Sequence, residues 1–123
     1  MKYLILIYRN PASRRMWESL SDSDRDTGLE AYRELNAELA ASGELIATEA
    51  LTYPEDGRQV WRREDGSISS DGPYAEVKEH LAGFYLIDVA GLERAAAIAG
   101  RVPEADLGLV EVRPVLDLSA WGL

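Results

Sequence analysis

The pattern of apolar and polar positions predicts four core strands. The run from about Lys2 to Tyr8 lacks polar alternation, which is typical of a strand buried on both faces. The run from Leu81 to Val89 is the strongest strand signal, and further strands are predicted over residues 44–51 and 109–115. Pro114 has no backbone donor, so we expect it at a sheet edge or a strand end.

Apolar residues three and four positions apart predict the helices. One helix is expected between Ser21, followed by a carboxylate three residues later, and Gly43, a typical C-terminal cap. Its apolar stripe consists of Leu29, Tyr32, Leu35 and Leu39. A short helix is predicted over residues 12–20 and an alanine-rich helix over residues 91–100. The apolar face of the latter consists of Leu92, Ala95, Ala96 and Ala99.

The predicted order of elements indicates the fold class. Residues 59–63 and 67–70 flank Glu64-Asp65-Gly66 and predict a hairpin that is polar on one side and lies at the rim. Without this hairpin the order is strand, helix, strand, strand, helix, strand. We therefore predict a single domain over residues 1–123 with an α+β, ferredoxin-like βαββαβ fold and an added rim hairpin.

The predicted sheet has one face that its own helices cannot cover. Two helices cover one face of four strands, and an apolar bare face is expected to pack against another sheet. We expect a homodimer that forms a dimeric α/β barrel, with the apolar tail of residues 116–123 crossing onto the partner. The pattern leaves open whether Leu4 and Leu6, or Ile5 and Ile7, lie between the two sheets.

Charge and composition exclude several classes of protein. The formal net charge of -9 at pH 7 disfavours direct nucleic-acid binding and anionic membrane surfaces. The absence of cysteine excludes disulfides, thiolate metal sites and cysteine nucleophiles. The apolar run at the start is too short for a membrane span or a signal peptide, so we expect a cytoplasmic protein.

Residues 70–80 carry the densest candidate chemistry in the chain. Asp71-Gly72-Pro73 is a turn signal, and the Asp71 carboxylate either accepts backbone N–H groups in the turn or faces a pocket. Glu76 and His80 lie near each other whether the segment is extended or helical, and a carboxylate beside an imidazole suits acid-base chemistry. The alternative is a solvated charged loop.

Other chemistries have weaker support. Glu76 and His80 could supply two metal ligands, but the chain has no second histidine, so we expect no metal. A glycine-rich phosphate loop and a nucleophile-elbow serine are both missing from the sequence, and no cofactor is expected. Four arginines could bind an anionic ligand or pair with the many carboxylates: Arg9, Arg62, Arg63 and Arg113.

The run from Asp71 to Glu79 resembles the signature of DGPF-type proteins of the YCII-related group, Asp-Gly-Pro-Phe-Ala-Glu-Thr-Lys-Glu. In this chain Tyr74 replaces the phenylalanine and Val77 replaces the threonine. The similarity continues through residues 83–88 and 110–115, and it includes residues 1–4 and Ile7-Tyr8, so it spans essentially the whole chain.

The resemblance implies a ferredoxin-like α+β fold, a dimeric α/β barrel and a bacterial protein often encoded beside alternative sigma factors. It does not imply a settled activity. Related YCII proteins are proposed to use a His-Asp pair with the histidine early in the chain. This sequence has no histidine before His80, so that pair is not carried over.

Two functional hypotheses follow. The first is a small-molecule-binding or regulatory dimer, possibly of a sigma-factor system, with the candidate ligand-binding residues Tyr74, Lys78, Glu79 and Arg113. The second is a small-molecule enzyme, a lyase, isomerase or hydrolase, with the candidate catalytic residues Asp71, Glu76 and His80.

Overall fold

The computed structural model describes residues 1–71 and 78–123. The helices in these ranges are α1 (Pro11–Ser19), α2 (Asp22–Ser42) and α3 (Leu92–Ala99). The strands are β1 (Lys2–Arg9), β2 (Leu45–Ala50), β3 (Gln59–Arg62), β4 (Ile68–Asp71), β5 (His80–Asp88) and β6 (Val110–Pro114). Short 3₁₀ turns cover Pro54–Asp56, Pro103–Leu107 and Ser119–Trp121.

The main sheet has four antiparallel strands in the order β2-β5-β1-β6. This is the strand order of a ferredoxin-like fold, and the predicted α+β class is confirmed. Pro114 ends the edge strand β6, as its missing donor predicts. Strands β3 and β4 form a separate two-stranded sheet, the predicted rim hairpin.

The two faces of the central strand β1 have different surroundings. Tyr3, Ile5 and Ile7 are buried in the core under the helices. Leu4 and Leu6 point to the opposite face, which we call the open face, because side chains alternate along a strand. The prediction that β1 is buried on both faces is therefore only partly correct for a single chain, because Leu4 is half-buried. On the open face Leu4 is half-buried and Leu6 is only 9% exposed, and an inter-sheet contact would use this pair, not Ile5 and Ile7, which lie in the core.

Helix α2 packs through the middle of its predicted stripe. Leu35 and Leu39 are fully buried and Tyr32 packs against the core, whereas Leu29 is 42% exposed. The Ser21 hydroxyl accepts a hydrogen bond from the Asp24 N–H at 3.1 Å and caps the helix. Gly43 has φ 78, the left-handed conformation expected of a C-terminal cap.

The predicted apolar face of α3 is wrong in part. Ala95 and Ala99 are buried as expected, but the large buried side chain is Ile98, and Leu92 is 55% exposed. Leu92 is the first residue of the helix, and Ala96 is exposed. The helix therefore packs against the core through Ala95, Ile98 and Ala99, which follow the i, i+3, i+4 spacing. The alanine-rich sequence did not reveal this rotation.

Helix α1 begins one residue earlier than predicted, at Pro11. Asn10 and Ser13 form a reciprocal capping box, in which each side chain accepts the other residue's backbone N–H. This cap fixes the direction in which the chain leaves β1. No helix within the described ranges combines the length and the apolarity needed to cross a membrane.

Candidate functional site

Two polar clusters lie on opposite faces of the main sheet near the end of β1, and one of them extends along β6 to the position opposite Leu4. Arg9 ends β1 and pairs with His80, which begins β5. The side chain of Arg9 points to the side of the sheet that carries the helices, and the preceding Tyr8 points to the open face. The helix-side cluster consists of Arg9, Arg14, Tyr53, Glu55 and His80. The open-face cluster consists of Tyr8, Glu79, Glu111 and Arg113.

The helix-side cluster is centred on the ring of Tyr53. The guanidinium carbon of Arg14 lies 3.4 Å from the ring centroid and that of Arg9 lies 4.9 Å from it. Nη2 of Arg14 lies 2.6 Å from Oε1 of Glu55, and its Nε donates to Oε1 of Glu18 at 3.0 Å. Strand β1, helix α1 and the loop after β2 therefore meet at one aromatic ring.

Electrostatics connect His80 to this cluster. The pKa of Glu55 is lowered, first by the hydrogen bond from Arg14, then by its own backbone N–H, with a smaller contribution from the positive charge of His80. The pKa of Arg14 is raised in return, mainly by its hydrogen bonds with Glu55 and then Glu18. His80 is half-buried and lies within electrostatic reach of the Glu55 carboxylate.

A polar network lies next to this cluster, between α2 and the sheet. The hydroxyl of Tyr32 donates to Glu104, and the hydroxyl of the buried Tyr85 donates to Oδ1 of Asn36. Burial raises the pKa of both phenols; Glu104 raises each further, and the positive charge of Arg9 opposes the rise at Tyr32. Both hydroxyls therefore stay protonated at neutral pH and act as hydrogen-bond donors.

The open-face cluster is built on β1 and β6. The hydroxyl of Tyr8 donates to Oε1 of Glu111 at 3.1 Å. Glu111 and Arg113 share the open face, because they pair with Leu6 and Leu4 of β1. Burial raises the pKa of Tyr8, followed by the hydrogen bond and the charge of Glu111; Arg113 lowers it and Glu79 raises it. Glu79 and Arg113 thus lie within electrostatic reach of Tyr8.

The structure separates the predicted site residues into two groups. Glu79 and Arg113, both predicted to bind ligand, belong to the open-face cluster, whereas His80, predicted to be catalytic, belongs to the helix-side cluster. Lys78 is exposed just before β5. Asp71 ends β4, where it pairs with Gln59. The predicted Tyr74 and Glu76 lie outside the described residues.

Several residues of the two clusters were missed by the sequence reasoning. The pair of Tyr8 and Glu111 becomes visible only when the register of β1 and β6 is known, although both lie in strands that the sequence predicted. Arg14, Tyr53 and Glu55 lie in a helix and a loop, and nothing in their spacing indicates that they meet. Arg9 and Arg113 are two of the four arginines that the sequence offers as anion ligands, and each lies in one of the two clusters.

Two further features limit the chemistry that the described residues can perform. Among the side chains that the structure describes, no three histidines, aspartates or glutamates are grouped so that they could hold a metal ion. A cleft of about 250 Å³ between α3, residues 103–108 and β6 is lined by alanine, glycine and valine. It carries no titratable side chain, so it offers packing space but no acid, base or nucleophile.

These features define a small α+β protein of ferredoxin-like topology with a polar cluster on each face of its sheet. Residues 1–119 match the YCII-related domain, and the protein belongs to that family. An uncharacterized protein of Rhizobium meliloti (strain 1021) is 33% identical over 118 residues, which cover 94% of this chain and 92% of that relative. The resemblance expected from the residues around Asp71 is thereby confirmed.

Proposed function

We propose that the protein is a homodimer that binds a small molecule at the open-face cluster. The observation that carries this proposal is the grouping of Tyr8, Glu111 and Arg113 on a sheet face whose centre is apolar. The apolar part of that face consists of Leu4, Leu6, Phe84 and Leu86, paired across β1 and β5. A polar cluster beside a face that excludes water is a typical arrangement for a ligand site.

The apolar part of the open face supports the dimer. Two sheets that pack face to face lie about 10 Å apart with their side chains interdigitated, which buries both faces. A two-fold axis makes this contact self-complementary, so the same residues serve both subunits. The tail supports the same arrangement, because Leu116 and Trp121 are 67% and 68% exposed in a single chain. Crossing of the tail onto the partner remains part of the proposal.

The polar part of the open face supports the ligand site. Tyr8 is protonated at neutral pH, like an ordinary tyrosine, and burial raises its pKa further. Glu111 accepts hydrogen bonds, and Arg113 supplies a positive charge without a carboxylate partner among the described residues. Glu111 and Arg113 lie on the edge strand β6, so two closed sheets would place them at the mouth of the interface. We propose a small polar ligand with an acidic or carbonyl group facing Arg113.

The proposal is tested by measuring assembly and binding together. Sedimentation at micromolar concentration is expected to show a dimer, and a lone species of about the 13.6 kDa chain mass would contradict it. A ligand found by screening against the wild type should bind about tenfold more weakly to Tyr8→Phe and Arg113→Gln. Tyr53→Phe is the matched change on the other face of the sheet, and it should leave the affinity for this ligand unchanged. Equal losses in all three variants would argue against an open-face site.

A second candidate function is acid-base catalysis. It is favoured by His80, which lies within electrostatic reach of Glu55, a carboxylate that Arg14 holds in its charged form. An imidazole next to a fixed carboxylate can transfer a proton during a lyase, isomerase or hydrolase reaction, with Asp71 and Glu76 as the further candidates from the sequence. Substrate screening of the wild type and His80→Gln tests it: turnover that persists in the variant would exclude His80 as the acid or base.

A further inference from the structure

Helix α1 lies on the surface of the fold and adds no side chain to its core. None of its nine residues is buried, whereas α2 buries Leu35 and Leu39 and α3 buries Ile98. The buried core cluster, together with the half-buried side chains that pack against it, contains no residue of α1. Moving α1 away from the fold would therefore take no side chain out of the core, and apolar burial does little to hold this helix in place.

Each end of α1 is bounded by a residue in an extended conformation. Asn10 has φ -129° and ψ 172°, and Leu20 has φ -72° and ψ 148°. The next helix, α2, has its own N-terminal cap at Ser21 and does not continue α1. Because the capping box of Asn10 and Ser13 lies within the first turn, α1 carries its own cap and can move as a formed helix.

The N-terminal half of α1 is fastened to the fold by Arg14. Its Nη2 atom lies 2.6 Å from Oε1 of Glu55, and its guanidinium carbon lies 3.4 Å from the centroid of the Tyr53 ring. The side chains of Arg14 and Glu55 are 33% and 57% exposed, and an ion pair this open to water stabilises a structure only weakly. The contact with the ring adds a further modest attraction. This fastening can therefore break without a large cost.

The C-terminal end of α1 is fastened by Arg25 of α2. Its Nε donates to the carbonyl oxygen of Trp17 at 3.1 Å and its Nη2 donates to that of Glu18 at 2.8 Å, so one guanidinium caps two carbonyls at the end of the helix. The half-buried Trp17 ring lies over Gly28 of α2, where an added Cβ atom would be 3.6 Å from the ring. Because Gly28 has no side chain, the ring meets only backbone there, and Arg25 supplies the directional contacts.

We propose that α1 is a lid that opens as one unit while the rest of the fold stays intact. When the lid opens, Arg14 leaves both the Tyr53 ring and the Glu55 carboxylate. This uncovers the ring and removes a positive charge from Glu55, which lies within electrostatic reach of His80. The lid would thus control both access to the helix-side cluster and its charge. Its opening does not depend on the dimer, on the open-face ligand site or on an enzymatic activity.

Hydrogen exchange of the full chain, followed by NMR at low urea concentrations, tests the proposal. The amides of α1 run from Arg14, which donates to Asn10 at 3.0 Å, to Leu20, which donates to Trp17 at 3.2 Å. We expect them to share one opening equilibrium and to be protected about tenfold or more weakly than the amide of Leu39 in the core. Their exchange should depend little on urea, because opening the lid exposes little surface.

Arg25→Gln separates a rigid lid from a helix that frays at its ends. Removing the C-terminal fastening of a rigid lid should speed exchange several-fold at every α1 amide, including that of Arg14 at the far end, and leave Leu39 unchanged. Arg33→Gln is the matched control. It removes the same charge from the same helix, and the ion pairs of Arg33 are with Asp26 and Glu30 of α2 itself.

Three results would overturn the proposal. The first is α1 amides that exchange as slowly as Leu39 and with the same urea dependence, since α1 would then open only by global unfolding. The second is an acceleration in Arg25→Gln that is confined to the last turn, and the third is an equal acceleration at Leu39. If Arg25→Gln does not fold, Arg14→Gln takes its place: faster exchange that extends to Leu20 supports the lid, and faster exchange in the first turn alone overturns it.

Discussion

Leu6 and Phe84 lie opposite each other in the register of β1 and β5, on the sheet face that none of the helices α1, α2 and α3 covers. Leu4 and Leu86 form the neighbouring pair on the same face. The helix side of the same strands is filled by Ile5 and Tyr85, which are 0% and 1% exposed. The sequence left open whether Leu4 and Leu6, or Ile5 and Ile7, could lie between two sheets. Because Ile5 and Ile7 are in the core, a sheet-to-sheet contact would use Leu4 and Leu6.

Replacing Leu4 by Asp is expected to prevent dimerisation. A carboxylate placed between two apolar sheets would be buried without a partner, which costs several kcal/mol. Val60→Asp is the matched control, because Val60 is 61% exposed on the rim hairpin, which forms a sheet of its own. Sedimentation of both variants measures the effect. A dimeric Leu4→Asp protein as stable as the control would remove the sheet-to-sheet interface from the proposal.

The ion pair of Glu44 and Arg94 is expected to contribute to stability only above acidic pH. Two hydrogen bonds, of 2.8 and 2.9 Å, join the guanidinium of α3 to the carboxylate that precedes β2. They lower the pKa of Glu44 to about 2, with help from Ser42. An unfolded glutamate binds its proton near its ordinary pKa of 4.5, so the unfolded state takes up more protons below that pH. The contribution is present above pH 4.5 and is lost as the pH falls towards 2.

Urea denaturation at pH 6 and pH 3 tests this linkage. The wild type should lose more free energy of unfolding between the two pH values than Arg94→Gln does, because the variant has no pair left to lose. Arg62→Gln, an exposed arginine outside any ion pair of the described residues, should behave like the wild type. Parallel pH dependence in the wild type and Arg94→Gln would show that the pair contributes nothing to acid stability.

Gly83→Ala is expected to destabilise the protein by about 1–3 kcal/mol, the usual cost of overpacking. A Cβ atom at this position would lie 2.9 Å from the backbone oxygen of Glu49 on β2, and a backbone atom cannot rotate away. Gly100→Ala is the control, because its Cβ would meet only ordinary contacts at 3.5 Å and its φ of -64 suits alanine. That change should be neutral or stabilise by about 0.4–1 kcal/mol. Equal melting temperatures for the two variants would contradict the close approach of β2 and β5.

The sequence was sufficient for the fold because each core element has a strong local signal. The apolar runs of β1 and β5 and the stripe containing Leu35 and Leu39 correctly predict element type and order. The rotation of α3 was not predictable in the same way, since alanines on several faces give similar patterns and only packing selects Ile98. Local patterns fix the elements, whereas their contacts depend on the tertiary structure.

The candidate site was less predictable because its members come from distant segments. Arg9 and His80 meet through the pairing of β1 and β5, and Glu55 reaches them from a loop with no regular spacing. Glu79 and His80 are adjacent in the chain but belong to different clusters. The sequence could not show this, because it depends on the sheet face to which each side chain points. The positions of these residues in the chain indicated the end of the sheet at which they lie, but not the face of the sheet to which their side chains point.

Asp71 is expected to have a structural role, and His80 a functional one. Replacing Asp71 by Ala should cost about 0.5–2 kcal/mol if its carboxylate caps the turn, by analogy with lost helix caps. Replacing His80 by Gln should change stability by no more than about 0.5 kcal/mol, because His80 is only half-buried at a strand end and glutamine keeps a polar group there. Lys78→Gln, at an exposed position just before β5, is the control for a surface change. Thermal melting measures all three, and ligand or substrate screening shows whether His80→Gln alters affinity or abolishes turnover. If His80→Gln unfolds the protein while Asp71→Ala does not, the structural role belongs to the imidazole, and the acid-base hypothesis loses the residue on which it depends.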